Sequence, residues 1–255
     1  MREFRTSRGR FILGDARELI KEVPASSVDV IITDPPWGMG MDEYDDIQAF
    51  RDLVGDMHRV LKRDAWCILY AQPRVLPEAF RIMEGYFDYV WMLIRLFFRT
   101  YSKSVVGDVA YAPILVFAKG KPKVHYRRVD VLPSDELPLI QIKVREPLFK
   151  PTMTTATLLQ MFTRPGDLVL DPFAGYGSIP LTCDVFGRRW LAFEIDPVKF
   201  EIARKFIVER TPVDIKATKR KMKSEKKKNI SLVSYIFRGQ EHDPYASQEA
   251  VGLSR

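Results

Sequence analysis

Residues 168–178 read Leu-Val-Leu-Asp-Pro-Phe-Ala-Gly-Tyr-Gly-Ser, an apolar run that stops on an acid and opens into a glycine-bearing turn. Residues 168–170 are too few for a helix and bulky enough for a buried strand. Gly175 and Gly177 permit a tight turn and a close approach of backbone to a ligand. A helix-like segment, 178–186, follows, and then a second apolar run, 190–193, which ends in Glu194-Ile195-Asp196-Pro197. The pattern is strand, turn, helix, strand, with a carboxylate at each strand end. It is not the dinucleotide fingerprint, because an acid leads and the third glycine is missing. An acid at the first strand end suits a ligand carrying a positive amino group, not a pyrophosphate. A carboxylate ending the second strand suits a pair of ribose hydroxyls.

The same alternation extends in both directions. Apolar runs at 11–13, 28–33, 66–71, 89–97 and 114–118 join 168–170 and 190–193, giving seven candidate strands. Several lack polar alternation, as strands covered on both faces do. Helix-like segments lie at 16–23, 47–61, 77–85, 155–162, 178–186 and 198–210; in the second, Phe50, Leu53, Val54, Met57, Val60 and Leu61 fall near helical spacing. The expected class is α/β, with a mostly parallel sheet and helices on both faces. Residues 121–149, rich in proline and charge, read as an insertion into a domain spanning 1–211. Residues 212–255 read as a basic, partly flexible tail.

A second motif follows the apolar run 28–33: Asp34-Pro35-Pro36-Trp37. Two successive prolines fix φ and remove two N–H donors, leaving a stiff, acceptor-rich turn. The Asp34 carboxylate and the Pro35 carbonyl are both able to face one amine, and Trp37 offers a flat ring for a base. By itself the motif reads equally well as a strand-ending turn with a buried tryptophan. The segment after it, 38–46, holds two glycines and is expected to close over a bound base or to remain a mobile acidic loop.

Composition narrows the classes. The net charge of +7 resides in one segment, because residues 216–228 carry eight basic side chains against Glu225 alone. The remainder is formally neutral, so the charge says little about the face of the folded domain. The two cysteines, Cys67 and Cys183, sit in apolar stretches and read as reduced core residues, and no Cys/His spacing resembles a metal site. No apolar run is long enough for a bilayer and the first residues lack a signal-peptide core, so the expected location is cytoplasmic.

Taken together, Asp34-Pro35-Pro36-Trp37 followed by Asp171-Pro172-Phe173-x-Gly175-x-Gly177 resembles the DNA amino-methyltransferases, in the motif order of their permuted β group. Leu13-Gly14-Asp15-Ala16, the run leading into Asp34, and Lys150-Pro151 ahead of Pro165-Gly166-Asp167 extend the resemblance over about residues 11–210. It implies a Rossmann-like fold with a seven-stranded sheet and S-adenosyl-L-methionine as cofactor. It assigns Asp171, Phe173, Gly175, Gly177 and Ser178 to the cofactor, Glu194 to its ribose, Asp15 to its adenine and Lys150 to its carboxylate. Tyr176 departs from the small residue usual there, which puts the pocket's shape in question. The catalytic group would be Asp34, Pro35, Pro36 and Trp37. Trp37 would also stack on the target base, and Lys123, Arg127 and Arg128 in the insertion would contact phosphate, with no metal.

The resemblance implies methylation of an exocyclic base amine, adenine N6 being favoured because Asp34, not serine, leads the motif. Cytosine N4 in DNA, adenine in RNA, and a catalytically silent nucleic-acid-binding subunit are the alternatives. Cytosine C5 chemistry needs a nucleophilic cysteine that follows proline in that family, whereas Cys67 follows Trp66 and Cys183 follows Thr182. The expected partner is nucleic acid, DNA first, with a homodimer allowed and no membrane.

Overall fold

A computed structural model of the chain describes residues 2–96, 103–104, 107–132 and 152–209. Its strands are β1 (Arg2–Arg5), β2 (Gly9–Leu13), β3 (Val28–Thr33), β4 (Leu61–Tyr70), β5 (Asp88–Leu96), β6 (Lys103–Ser104), β7 (Gly107–Asp108), β8 (Tyr111–Lys119), β9 (Val131–Leu132), β10 (Leu168–Asp171) and β11 (Arg189–Glu194). Its α-helices are α1 (Ala16–Leu19), α2 (Ile47–Val60), α3 (Leu76–Met83), α4 (Thr152–Phe162), α5 (Ser178–Val185) and α6 (Pro197–Arg204), the last continued by a π turn, Lys205–Glu209.

Nine strands form one sheet in the order β1-β2-β11-β10-β3-β4-β8-β5-β9, and β6 and β7 pair separately. The five neighbours from β2 to β4 are mutually parallel. β8 runs antiparallel to β4 and β5, and β1 antiparallel to β2. All seven expected strands enter the sheet. The two added strands explain themselves: β1 buries only Phe4, and β9 is two residues long, so neither prints a periodic signal.

The apolar runs with little polar alternation are a consequence of two-sided burial. Along β3, Val30 and Ile32 enter the core shared with α4, α5 and α6, whereas Val28 and Ile31 enter the core shared with α1, α2 and α3. One expectation shifts. Leu61, read as the end of the second helix, begins β4, which starts five residues before the expected 66. Lys62, Arg63 and Asp64 hide that start because they are polar, and the β3–β4 register slips between Val28 and Val30 with Asp64 at φ 56°. Cys67 and Cys183 are both free and fully buried, and burial raises both thiols' pKa. Among the described residues, no helix is long and apolar enough to cross a membrane.

From β3 the chain passes through α2 to β4 on one side. From β10 it passes through α5 to β11 on the other. β3 and β10 are neighbours, so the direction of winding reverses between them. In an open α/β sheet the crevice outside the strand ends at that point is where ligands bind.

Candidate active site at the switch point

Four carboxylates end or follow four adjacent strands. Asp15 follows β2, Glu194 ends β11, Asp171 ends β10 and Asp34 follows β3. At about 4.8 Å per strand the row spans roughly 14 Å, the scale of an elongated ligand.

Asp171 is the most constrained. Thr33 donates its hydroxyl to Oδ1 at 2.7 Å, and the Phe173 amide donates to the same oxygen at 3.3 Å. Oδ2 is buried with no hydrogen-bond partner. Burial, reinforced by the charges of Asp34 and Glu194 and opposed by those two donors, pushes the carboxyl up to about 8. A buried oxygen without a donor is costly, and a cation brought by a ligand removes the cost.

Glu194 crosses to the glycine turn. Its Oε2 accepts from the Gly175 amide and its Oε1 from the Asp196 amide, each at 2.7 Å. Burial raises it to about 7, although Lys199 and the two amides pull the other way. Each oxygen has a second lone pair for a hydroxyl donor. Asp15 caps α1 and takes both the amide and the guanidinium of Arg17, whose side-chain bond is the main reason its carboxyl lies below the ordinary range. The Gly14 amide donates to the Glu194 carbonyl at 2.8 Å and holds these two strand ends together.

The two glycines differ. Gly175, at φ 55°, has open space where a Cβ would stand. Gly177, at φ 82°, presses its α-carbon against Ile207 and Ala203, where a Cβ would approach to 2.9 and 3.0 Å. One glycine faces open space and the other closes the core. Ser178 is buried at the start of α5, and Tyr176 is 4 % exposed, turned into the core. The bulk at Tyr176 is thus spent on packing. Phe173 is half-buried, edge-on to Phe50 at 6.4 Å between ring centres.

Asp34 is half-buried between buried Thr33 and buried Pro35, with Pro36 half-buried beyond them. Its charge acts on both Asp171 and Tyr70. Trp37 corrects the expectation of an open stacking platform. The ring is only 6 % exposed, its indole Nε1 donates to the Tyr70 carbonyl at 3.2 Å, and it meets Phe50 edge-on at 5.4 Å. A buried indole N–H needs an acceptor, and the end of β4 supplies one. Tyr70 in turn bonds Thr155 of α4 at 2.9 Å, so the turn rests on a fixed floor.

The loop 38–46 is ordered by a residue the sequence did not single out. Asp45 accepts the amides of Trp37 and Gly38 on Oδ1 and those of Met39 and Met41 on Oδ2, all between 2.7 and 3.0 Å. Asp46 caps α2. Asp42 pairs with Lys199 of α6. Several acids in a short glycine-containing stretch hint at backbone-binding carboxylates, but nothing in the sequence says which one turns inward.

The insertion is only partly described. Lys150, like the tail 212–255, lies outside the described residues. Lys123, Arg127 and Arg128 are exposed. Arg128 lies over the Tyr126 ring, 5.1 Å from its centre. Lys123 is not brought to Asp34. Its carbonyl accepts from Trp66, three residues before the β4 partner of Thr33, and so sits roughly 10 Å down the strands. β8 runs antiparallel to β4, which delivers the residues just after Lys119 to the opposite end of the sheet, and the chain returns by β9, where Val131 pairs with Ile94. Among the described residues, no group of three or more His, Cys, Asp or Glu is placed to hold a metal.

The acid row, with its unpartnered buried oxygen on Asp171, and the acceptor-rich turn at Asp34 lie together in the crevice where an open α/β sheet binds its ligand. The chain belongs to the DNA methylase family of amino-methyltransferases, whose profile matches residues 28–205. It is 32 % identical to YubD of Escherichia coli (strain K12) over 205 residues, 73 % of this chain and 84 % of YubD. Its fold is similar to M1.HpyAVI, solved in complex with S-adenosylmethionine, with a TM-score of 0.64 at 20 % identity, covering 77 % of this chain and 98 % of that one. It is also similar to the cytosine-N4-specific PvuII DNA methyltransferase, with a TM-score of 0.66 at 19 % identity over 92 % and 94 %.

Proposed function

We propose that the protein transfers a methyl group from S-adenosyl-L-methionine to the exocyclic amine of a DNA base, and that the base is adenine, modified at N6. The observation that carries this reading is the adjacency of Asp34 and Asp171 on neighbouring strands at the switch point. When bound, the cofactor supplies an electrophilic sulfonium methyl.

The residues divide the work along the strand row. Asp171 receives the cationic amine of the cofactor on its unpartnered Oδ2, Glu194 accepts the ribose hydroxyls, Asp15 lies toward the adenine and Lys150 toward the carboxylate. Phe173, Gly175, Gly177 and Ser178 shape the cradle, and the bare face of Gly175 lets the backbone approach. An aromatic amine is a weak nucleophile because its lone pair is delocalised into the ring. Asp34 and the Pro35 carbonyl accept its two protons in hydrogen bonds and favour a more tetrahedral nitrogen whose lone pair faces the methyl. This is positioning and electrostatics, with no covalent enzyme intermediate. The base leaves the duplex to reach the turn. Trp37 acts from beneath as a brace, and Arg127 and Arg128 supply phosphate contacts.

An aspartate leading the motif supports adenine, and family membership supports DNA. The test is methyl transfer to matched duplex DNA, single-stranded DNA and RNA, with the modified base identified by mass spectrometry. N6-methyladenine in DNA is the expected product. N4-methylcytosine would overturn the base assignment, and strong preference for RNA would overturn the substrate assignment.

A further inference from the structure

The loop 38–46 starts at the end of β3 and reaches α6, the helix that follows β11. β10 and β11 lie between these two points in the sheet, so the loop passes over the strand ends that carry Asp171 and Glu194. It leans toward the cofactor side of the switch point.

The ion pair that holds it there is unusual in its surroundings. The Lys199 side chain is only 14 % exposed and that of Asp42 24 %. Burial lowers the lysine's pKa, but the charges of Glu194, Asp42 and Asp196 outweigh it and keep the ammonium charged. Neither partner needs the other for its own local structure. The loop is already organised by the four amides on Asp45, with Asp42 Oδ1 accepting the Tyr44 amide at 2.9 Å. α6 is already capped by Asp196, which accepts the Val198 amide at 2.7 Å. The pair therefore joins two units that are each complete. A buried ion pair in that position specifies an arrangement more than it adds stability.

We propose that Lys199 is a positioning residue that straps the loop 38–46 over the adenosine half of the cofactor groove, coupling occupancy of the groove to closure of the segment that leaves the catalytic turn. This rests on the reading of Glu194 as the ribose ligand. A hydroxyl pair on Glu194 favours its ionised form, which holds Lys199 in place, and Lys199 holds Asp42. Closure then travels to the Asp34 turn through the loop's own backbone.

The test uses the intact protein without nucleic acid. S-adenosyl-L-methionine is titrated calorimetrically into the wild type, Asp42→Asn, Lys199→Met and the double variant, and amide exchange is followed over 38–46. Each single variant is expected to bind about tenfold more weakly, the double no more weakly than the worse single. The cofactor is expected to slow exchange at 39–45 in the wild type but not in either single variant. Asp42→Asn keeps an acceptor for the Tyr44 amide and alters only a loop side chain, so it carries the test if Lys199→Met fails to fold. Unchanged affinity in Asp42→Asn, with loop exchange indifferent to the cofactor, overturns the strap. A wild type that does not bind the cofactor at all overturns the site reading beneath it.

Discussion

Two turns leave neighbouring strand ends, each with two glycines in the left-handed region, and they are held in opposite ways. In the turn after β10, Gly175 gives its amide to Glu194 on another strand and Gly177 is wedged against Ile207 and Ala203. In the turn after β3, Gly38 and Gly40 sit at φ 67° and 72°, and the amides around them converge on Asp45 of the same loop. The first is fixed by the sheet and helices around it. The second is a self-contained loop braced at Trp37 and tied across the site through Asp42. A cradle for a small ligand has to be preformed, whereas a segment beside a base that enters from a duplex has to be able to yield.

That contrast is open to direct attack. The largest expected effect is from Asp34→Ala, which removes an acceptor at the reacting amine. Single-turnover methylation should fall by about 10³-fold while cofactor affinity measured by calorimetry stays within about twofold. Near-normal turnover would dissolve the division between a catalytic and a cofactor turn. Next, Gly177→Ala should lower stability by about 2–3 kcal/mol in denaturant titrations, because it adds both a strained φ and an overlap with Ile207. Gly175→Ala, with open space around its Cβ, should cost only about 1 kcal/mol yet weaken cofactor binding, since the Gly175 amide donates to Glu194 in the proposed cradle. Equal stability losses at the two positions would contradict their assigned roles.

The pH dependence tests the first turn alone. Asp171 is raised to about 8 and Glu194 to about 7, above their ordinary values of 3.8 and 4.5. The unfolded chain therefore releases these protons at lower pH than the folded one. The cofactor-free protein should lose stability as pH rises from about 4 to about 8, then level off. Cofactor affinity should rise over the upper part of that window with release of protons, detectable as a dependence of binding heat on the buffer. Affinity that falls with pH would show that neither acid meets a cation. The smallest effect is expected from Asp45→Ala, which strips one acceptor from four amides that water partly replaces. It should cost about 1 kcal/mol and chiefly accelerate amide exchange at 37–41, leaving cofactor-turn amides unaffected.

Much of this arrangement is legible in the chain because the parallel strands are covered on both faces, so residues 30–32 and 190–193 print short apolar runs that lead into an acid. The acid row is legible for the same reason, since each carboxylate stands within two residues of the end of such a run. The contacts that cross the sheet are not. Trp37 reads equally as a stacking ring or a buried one, because the acceptor that decides it is a backbone carbonyl of a strand 33 residues away. Asp45 and Lys199 carry no signal of their own, because the amides and carboxylates they meet come together only when the loop folds. Lys123 reads as a phosphate contact of the insertion, and the reversal of β8, which sets it at the far end of the sheet from Asp34, leaves no mark on residues 121–130.

The strand order has a consequence for how the molecule comes into being. β2 and β3 are consecutive in the chain, yet β11 and β10, made more than a hundred residues later, lie between them. An N-terminal portion emerging during synthesis lacks the two strands that belong between β2 and β3, a separation of roughly 14 Å with an unpaired edge on each side, until residues 168–194 arrive to fill it. The last wedge to enter carries Asp171 and Glu194. Completion of the sheet and creation of the ligand crevice are one event, so a ribosome-bound or truncated chain lacking that wedge has neither a closed fold nor a place for the cofactor.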